Sequence, residues 1–295
     1  MRNMRLVDTE NTIYDLKQTF YVKSRRRLNE LFNRKDWFNK AKKGRFWDLY
    51  ERFWEMLLQL EQDQADLVLE LLEDYLLCLS SEYEERINDL LDRINPERTF
   101  KDFNKIYLVP IYKNKDINNS QSGGSLNYRI KHPLIRDIKH YSIDIEVHDF
   151  ASVDVIPRKI QGRVLFMLVD DFIGTGKQAK KCIRILRDTL DSDVNIVVAV
   201  LVAQEEGVKR LRKICDRVYF GEVRSKGISG SERFKHHPRS ISMMREIGDK
   251  LKVAYPLGRD NSQALVTMTR TPNNTFGIFW SENNGERKGR PPFPR

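Results

Sequence analysis

Asp170 and Asp171 stand side by side at the end of the apolar run Val164-Leu165-Phe166-Met167-Leu168-Val169, and Phe172-Ile173-Gly174-Thr175-Gly176-Lys177-Gln178 follows at once. The run has the length and branched, apolar character of a strand buried on both faces, and Gln178 to Leu190 carries apolar residues at helical spacing. The expected local structure is strand, tight turn, helix. Glycines at 174 and 176 let the chain turn sharply and bring bare N–H groups to the first helical turn, where unpaired donors and the positive dipole end favour a phosphate. The paired acids suit a different group. At the carboxyl end of a central strand they can accept hydrogen bonds from vicinal hydroxyls, or hold a hard cation such as Mg2+ shared with phosphate oxygens. A sugar phosphate answers both halves of the motif.

Rival chemistries fit less well. A nucleotide-triphosphatase loop needs Gly-x-x-x-x-Gly-Lys-Ser/Thr, but Asp171 occupies the place of its first glycine and Gln178 that of its hydroxyl. A dinucleotide fingerprint needs a third glycine and an acid about twenty residues downstream, whereas these acids precede the loop. Simple capping of the helix would use one acid, and there are two. No Ser-His-Asp or Cys-His constellation is legible. Cys78, Cys182 and Cys215 match no zinc or redox spacing, and the five histidines are scattered apart from His236-His237.

Hydrophobic strand, Asp-Asp, two residues and a Gly/Thr-rich turn into a helix resembles the phosphoribosyl pyrophosphate signature of type I phosphoribosyltransferases. The resemblance implies that Asp170 and Asp171 are the catalytic, ribose-binding and metal-side acids, and that Ile173, Gly174, Thr175, Gly176, Lys177 and Gln178 form the 5'-phosphate loop. It departs from the common pattern at Gly174, where a hydroxyl residue is usual, and at Lys177-Gln178, where small or hydroxylated residues are usual. Backbone amides and a lysine can replace those donors. The family also implies Mg2+ as cofactor, phosphoribosyl pyrophosphate or a nucleotide as substrate, and a diphosphate loop after an early strand. Ser122, Gly123 and Gly124, with Arg129 beyond them, stand at a comparable place.

Together with Thr271-Pro272-Asn273-Asn274-Thr275 and Phe279-Trp280, the 169–176 segment resembles the phosphoribosyltransferase-like (PRTase-CE) proteins of bacterial conflict systems, some encoded with retrons. That likeness, over roughly residues 100 to 285, implies a toxic effector of antiphage defence with protein partners in a defence complex. Read physically, Pro272-Asn273-Asn274 is a turn former between strand-like runs at Ala264 to Thr269 and Phe276 to Trp280. The hairpin either packs on the core or forms a hood over a base. The implied reaction is displacement at the anomeric carbon of ribose, which needs no protein nucleophile because positioning and electrostatics carry an oxocarbenium-like transition state. The alternative is a non-catalytic, nucleotide-sensing and nucleic-acid-binding regulator on the same fold.

The elements that must hold these residues are legible around them. Strand-like runs at Ile106 to Tyr112, Ser142 to Val147, Val164 to Val169, Ile196 to Val202 and Arg217 to Val223 alternate with helical segments at Gln178 to Leu190 and Glu205 to Ile214. The expected fold is α/β, an open and mostly parallel sheet of phosphoribosyltransferase type, preceded by an N-terminal all-helical module. In that module Phe46 to Leu60 and Leu67 to Leu79 repeat at helix-face spacing, and Ser81 with Glu84 reads as a capping box opening a third helix. The expected division is a helical docking or regulatory module at 1–98, the α/β domain at 99–285, and a basic disordered tail at 286–295.

Charge is segregated. Residues 23 to 45 hold ten lysines and arginines against two acids, a net of +8, whereas residues 61 to 100 hold twelve acids against three arginines, a net of −9. With Phe32, Trp37 and Phe38 interleaved, the basic stretch suits a nucleic-acid or ribonucleoprotein partner; the plain alternative is an exposed basic face beside an acidic one. No apolar run has membrane-spanning length and no signal-peptide core is present, so the expectation is a cytoplasmic protein with no membrane partner.

Overall fold

The computed structural model describes residues 19–44, 46–94, 96–111, 121–190 and 194–293. In chain order the elements are α1 (19–34), α2 (Trp37–Lys43), α3 (Leu49–Leu57), α4 (Gln62–Glu73), β1 (Leu76–Leu77), α5 (Tyr83–Asp92), α6 (Pro96–Phe100), β2 (Lys105–Pro110), α7 (Gln121–His140), β3 (Glu146–Asp149), β4 (Val164–Ile173), α8 (Lys177–Thr189), β5 (Asn195–Gln204), α9 (Glu205–Leu211), β6 (Arg217–Arg224), α10 (Ser240–Lys250) and β7 (Val266–Thr267). They fall into two compact units, Ser80–Lys226 and the pair of segments Met1–Leu79 with Gly227–Arg295.

Ser80–Lys226 is the α/β unit. Its five strands lie in the order β3-β2-β4-β5-β6, and every pairing is parallel. The central strands β4 and β5 are apolar nearly throughout because helices cover both faces. Val164, Phe166 and Leu168 pack with Ala179, Cys182, Ile183 and Leu186 of α8 and with Val208 and Leu211 of α9. Helices α5 and α7 pack on the sheet as well, α7 on β2 and β4, α5 on β5 and β6. β4 outruns its expected end at Val169, because Asp170, Phe172 and Ile173 keep their register with Val200, Val202 and Ala203. The expected strand at Ser142 to Val147 is shorter and displaced to Glu146–Asp149.

The other unit joins α1–α4 to residues far downstream. Phe32, Trp37, Phe53, Tyr75, Phe279 and Phe293 are buried in one core, so the helical aromatic stripe is core material, although Trp47 is exposed. Four expectations are corrected here. The stretch 286–293 is packed rather than disordered: Phe293 is fully buried, its ring stacked on Tyr75 at 5.1 Å and edge-on to Phe53 at 5.6 Å. Arg290 pairs with Asp48 at 2.8 Å, and Arg287 is buried with its pKa pushed down to about 10 by that burial. An aromatic anchor next to two prolines outweighed the polar, glycine-containing composition of the segment.

No hairpin forms at 264–280. β7 pairs instead in parallel with β1, the bridge between Ala264 and Thr275 is also parallel, and Gly277–Phe279 is a 3-10 turn that buries Phe276 and Phe279. Ser81 and Glu84 form no capping box; a 3-10 turn over Ser80–Glu82 precedes α5, whose N-cap is Glu82. α5 and α6 belong to the α/β unit and 227–293 to the helical unit, so the units differ from the expected division at residues 98 and 285. The charge segregation also has an internal outlet. Arg27 pairs with Asp66 and Arg34 with Glu73, so acids of the later stretch neutralise part of the basic one, while Glu61 pairs with the distant Lys250 at 2.8 Å.

Candidate functional site

The carboxyl ends of β2 and β4 and the turn into α8 bring the motif residues together. Asp170 and Asp171 follow the apolar part of β4, and their two carboxyl groups lie within hydrogen-bonding reach of each other. Asp170 is half-buried, and its Oδ1 accepts the Asp171 backbone N–H at 2.9 Å. Asp171 is 6% exposed, and its Oδ2 accepts the hydroxyl of Tyr83 at 2.8 Å. Neither acid has a salt-bridge partner among the described residues. Burial first, and then the charge of Asp171, hold Asp170 well above the usual carboxylate range. Burial also raises Asp171, against the lowering effect of the Tyr83 hydrogen bond. The two adjacent buried acids therefore resist ionising together.

The turn behind the acids is built for close approach. Gly174, Thr175 and Gly176 are buried, and Gly176 takes φ 71°, a left-handed conformation that glycine adopts without strain. Among the described residues no protein acceptor is bonded to the amides of these three residues, and α8 begins at Lys177, so its positive dipole end adds to theirs. Helix α9 shapes the turn from beneath. A Cβ on Gly207 would collide with the Gly174 carbonyl oxygen, and the Gly207 Cα lies 3.2 Å from where a Cβ on Gly176 would stand. Arg210 Nη1 donates to the Thr175 carbonyl, while Arg210 and Lys226 each pair with Glu206 at 3.1 Å.

Of the other expected loop residues, Ile173 ends β4 with a buried side chain, and Lys177 is exposed. Gln178 donates through Nε2 to the Ile111 carbonyl at 2.6 Å and so ties the turn to the end of β2. The expected diphosphate loop sits differently. Residues 118–120 lie outside the described residues, and Ser122, Gly123 and Gly124 fall in the first turn of α7 rather than in a loop. Arg129, two turns further along α7, donates to the Ser80 carbonyl at 2.8 Å and places its guanidinium 5.5 Å from the centre of the Tyr83 ring. It therefore reaches the acidic pair through Tyr83. Lys131 pairs with Asp149.

Tyr83, Gly207 and Arg210 went unread in the sequence. Gly207, just inside a helix that follows an apolar strand, was a usable signal for close packing. Tyr83 and Arg210 carry no local mark.

The donor set bears on a cation. Among the described residues no group of three or more His, Cys, Asp or Glu side chains gathers. Two neighbouring carboxylates that resist ionisation together fit Mg2+, which takes one or two protein carboxylates and completes its shell with water and substrate phosphate.

The PRTase-CE family profile matches residues 51–295. No curated protein matches the chain. Solved structures with partial likeness include a hypoxanthine-guanine phosphoribosyltransferase from Schistosoma mansoni, 19% identical over 51% of this chain and 68% of that one, with a TM-score of 0.33. An orotate phosphoribosyltransferase from Aeropyrum pernix is 16% identical over 58% and 77%, with a TM-score of 0.29. A purine phosphoribosyltransferase from Pyrococcus horikoshii is 16% identical over 50% and 92%, also at 0.29.

Proposed function

The chain belongs to the PRTase-CE family, and from that premise we propose that it acts at the anomeric carbon of a phosphorylated ribose, with Asp170 and Asp171 at the pentose and the Gly174–Gly176 turn at the 5'-phosphate. The observation that carries the proposal is that, among the described residues, the amides of Gly174, Thr175 and Gly176 meet no protein acceptor, one turn beyond a carboxylate pair that pairs with no protein cation. An anion and a group of hydroxyls or a cation complete the two halves together.

In the reaction proposed, the bond from C1 to the leaving diphosphate or base breaks, and an acceptor lone pair forms the new bond to C1. Charge develops on the ring as an oxocarbenium ion, so geometry and electrostatics supply the acceleration. Mg2+, when bound, would supply positive charge to offset that of the departing diphosphate. Asp170 and Asp171 are the residues to hold it, and they orient the ribose hydroxyls; the buried glycine turn excludes water from the phosphate. The proposed setting is a toxic effector of a bacterial antiphage system of retron type, in the cytoplasm. For a polyanionic partner the proposal narrows to the face around Val22, Arg25, Arg26, Asn29, Phe38 and Tyr50, an open hollow of about 450 Å³.

The deciding experiment is mass spectrometry of nucleotides and nucleic acids from cells before and after induction. A gain equal to ribose phosphate, or loss of a base, names the reaction. The same profile from cells expressing a folded Asp170→Asn, Asp171→Asn double variant would end the enzymatic reading.

A further inference from the structure

Among the described residues, Tyr83 is the side chain whose hydroxyl bonds to Asp171, and nothing in the motif's local sequence explains it. The phenol is 2% exposed, lies 88 residues upstream of the acid it meets, and donates to Asp171 Oδ2 at 2.8 Å. Two further contacts hold the ring. Arg129 covers one side of it at 5.5 Å and is itself tied to the Ser80 carbonyl at 2.8 Å. The helix that carries Tyr83 is no loose flap: Ile87, Leu90 and Leu91 are buried along its inner face, and Arg86 pairs with Glu222 of β6 at 3.1 Å. A donor so anchored is a permanent partner of Asp171 rather than a stand-in for ligand.

We infer that Tyr83 is a positioning residue that fixes the Asp171 carboxylate, leaving half-buried Asp170 as the acid offered directly to ribose hydroxyls. This rests on the sugar-phosphate reading above and names how the two acids divide their work. One oxygen of Asp171 is spent on the phenol, while its backbone amide holds Asp170 Oδ1 at 2.9 Å, so the orientation of one acid sets that of the next. Without the phenol, Asp171 is a buried acid lacking its donor and free to rotate, and Asp170 loses its reference. The 5'-phosphate amides are on a separate turn and do not depend on Tyr83.

The test is discrimination between ribose 5-phosphate and 2-deoxyribose 5-phosphate, measured by calorimetry with Mg2+ on the full chain. The expected wild-type preference for the 2'-hydroxyl is about tenfold, the value of one charge-assisted hydrogen bond. Tyr83→Phe should bring that preference to about twofold or less while binding of the deoxy sugar stays within about twofold of wild type, because phosphate contacts persist. A merely structural role would weaken both sugars equally, and that result, or an unchanged preference, overturns the inference. Wild-type protein that binds neither sugar sinks the parent proposal and this one with it. If Tyr83→Phe does not fold, Arg129→Gln keeps the hydroxyl and removes the cation over its ring; it should lower the same preference, and an unchanged preference there also overturns the inference.

Discussion

Gly207 of α9 lies so close to Gly174 that a single methyl group on the first would overlap the carbonyl oxygen of the second. A neighbour that is backbone cannot swing aside as a side chain would, so the turn at Gly174 to Gly176 must move. Gly207→Ala should therefore displace the amides of Gly174 to Gly176. The expected result is a loss of sugar-phosphate affinity of roughly tenfold or more, with cooperative unfolding retained at a cost of about 1–3 kcal/mol. Calorimetry beside a urea titration separates the two effects, and unaltered affinity would show that the turn does not hold the phosphate.

Removing one acid should stabilise the ligand-free protein even as it harms binding. Burial and the adjacent charge of Asp171 raise the folded-state pKa of Asp170. Once the pH passes the ordinary carboxylate range, the unfolded chain has released a proton that the folded one still holds, so stability falls as pH rises from there through the raised pKa. Asp170→Asn removes that loss. Above the window the variant should melt about 2–4 °C higher than wild type, for about 1 kcal/mol, and at acid pH the two should converge. Thermal melts across pH check this directly, and a variant that melts lower at neutral pH would contradict it.

Acid substitutions should also separate affinity from fold. Asp170→Asn with Asp171→Asn is expected to weaken Mg2+-dependent sugar-phosphate binding by about 100-fold, the loss of two charge-assisted contacts, while the circular dichroism spectrum stays that of the wild type. Binding that persists in Mg2+ with both acids gone would place the pentose elsewhere.

The end of the chain is a stability element of the helical unit. Phe293 is buried among Trp37, Phe46, Phe53 and Tyr75. Phe293→Ala should cost about 3–5 kcal/mol by chemical denaturation. An effect below about 0.5 kcal/mol, the range of exposed substitutions, would mean the ring is not in the core.

Local patterning settled a good part of this protein in advance. Strands buried on both faces are continuous apolar runs, so Val164 to Val169 and Ile196 to Val202 announced a parallel sheet, and paired acids before a glycine turn announced a strand, a tight turn and a helix, since each signal sits within about ten residues. What the tertiary structure decided is everything that depends on a partner distant in the chain. Strand pairing carried β4 past Val169 and through the acidic pair to Ile173. Tyr83 took up one of those acids across 88 residues, and Arg210 reached back 35 residues to brace the turn. Phe293 joined a core begun by Trp37, although the composition around it is that of a loose terminus. Burial of an aromatic ring or satisfaction of a buried acid is a property of the space around it, and that space is assembled from segments whose spacing in the sequence carries no trace of the contact.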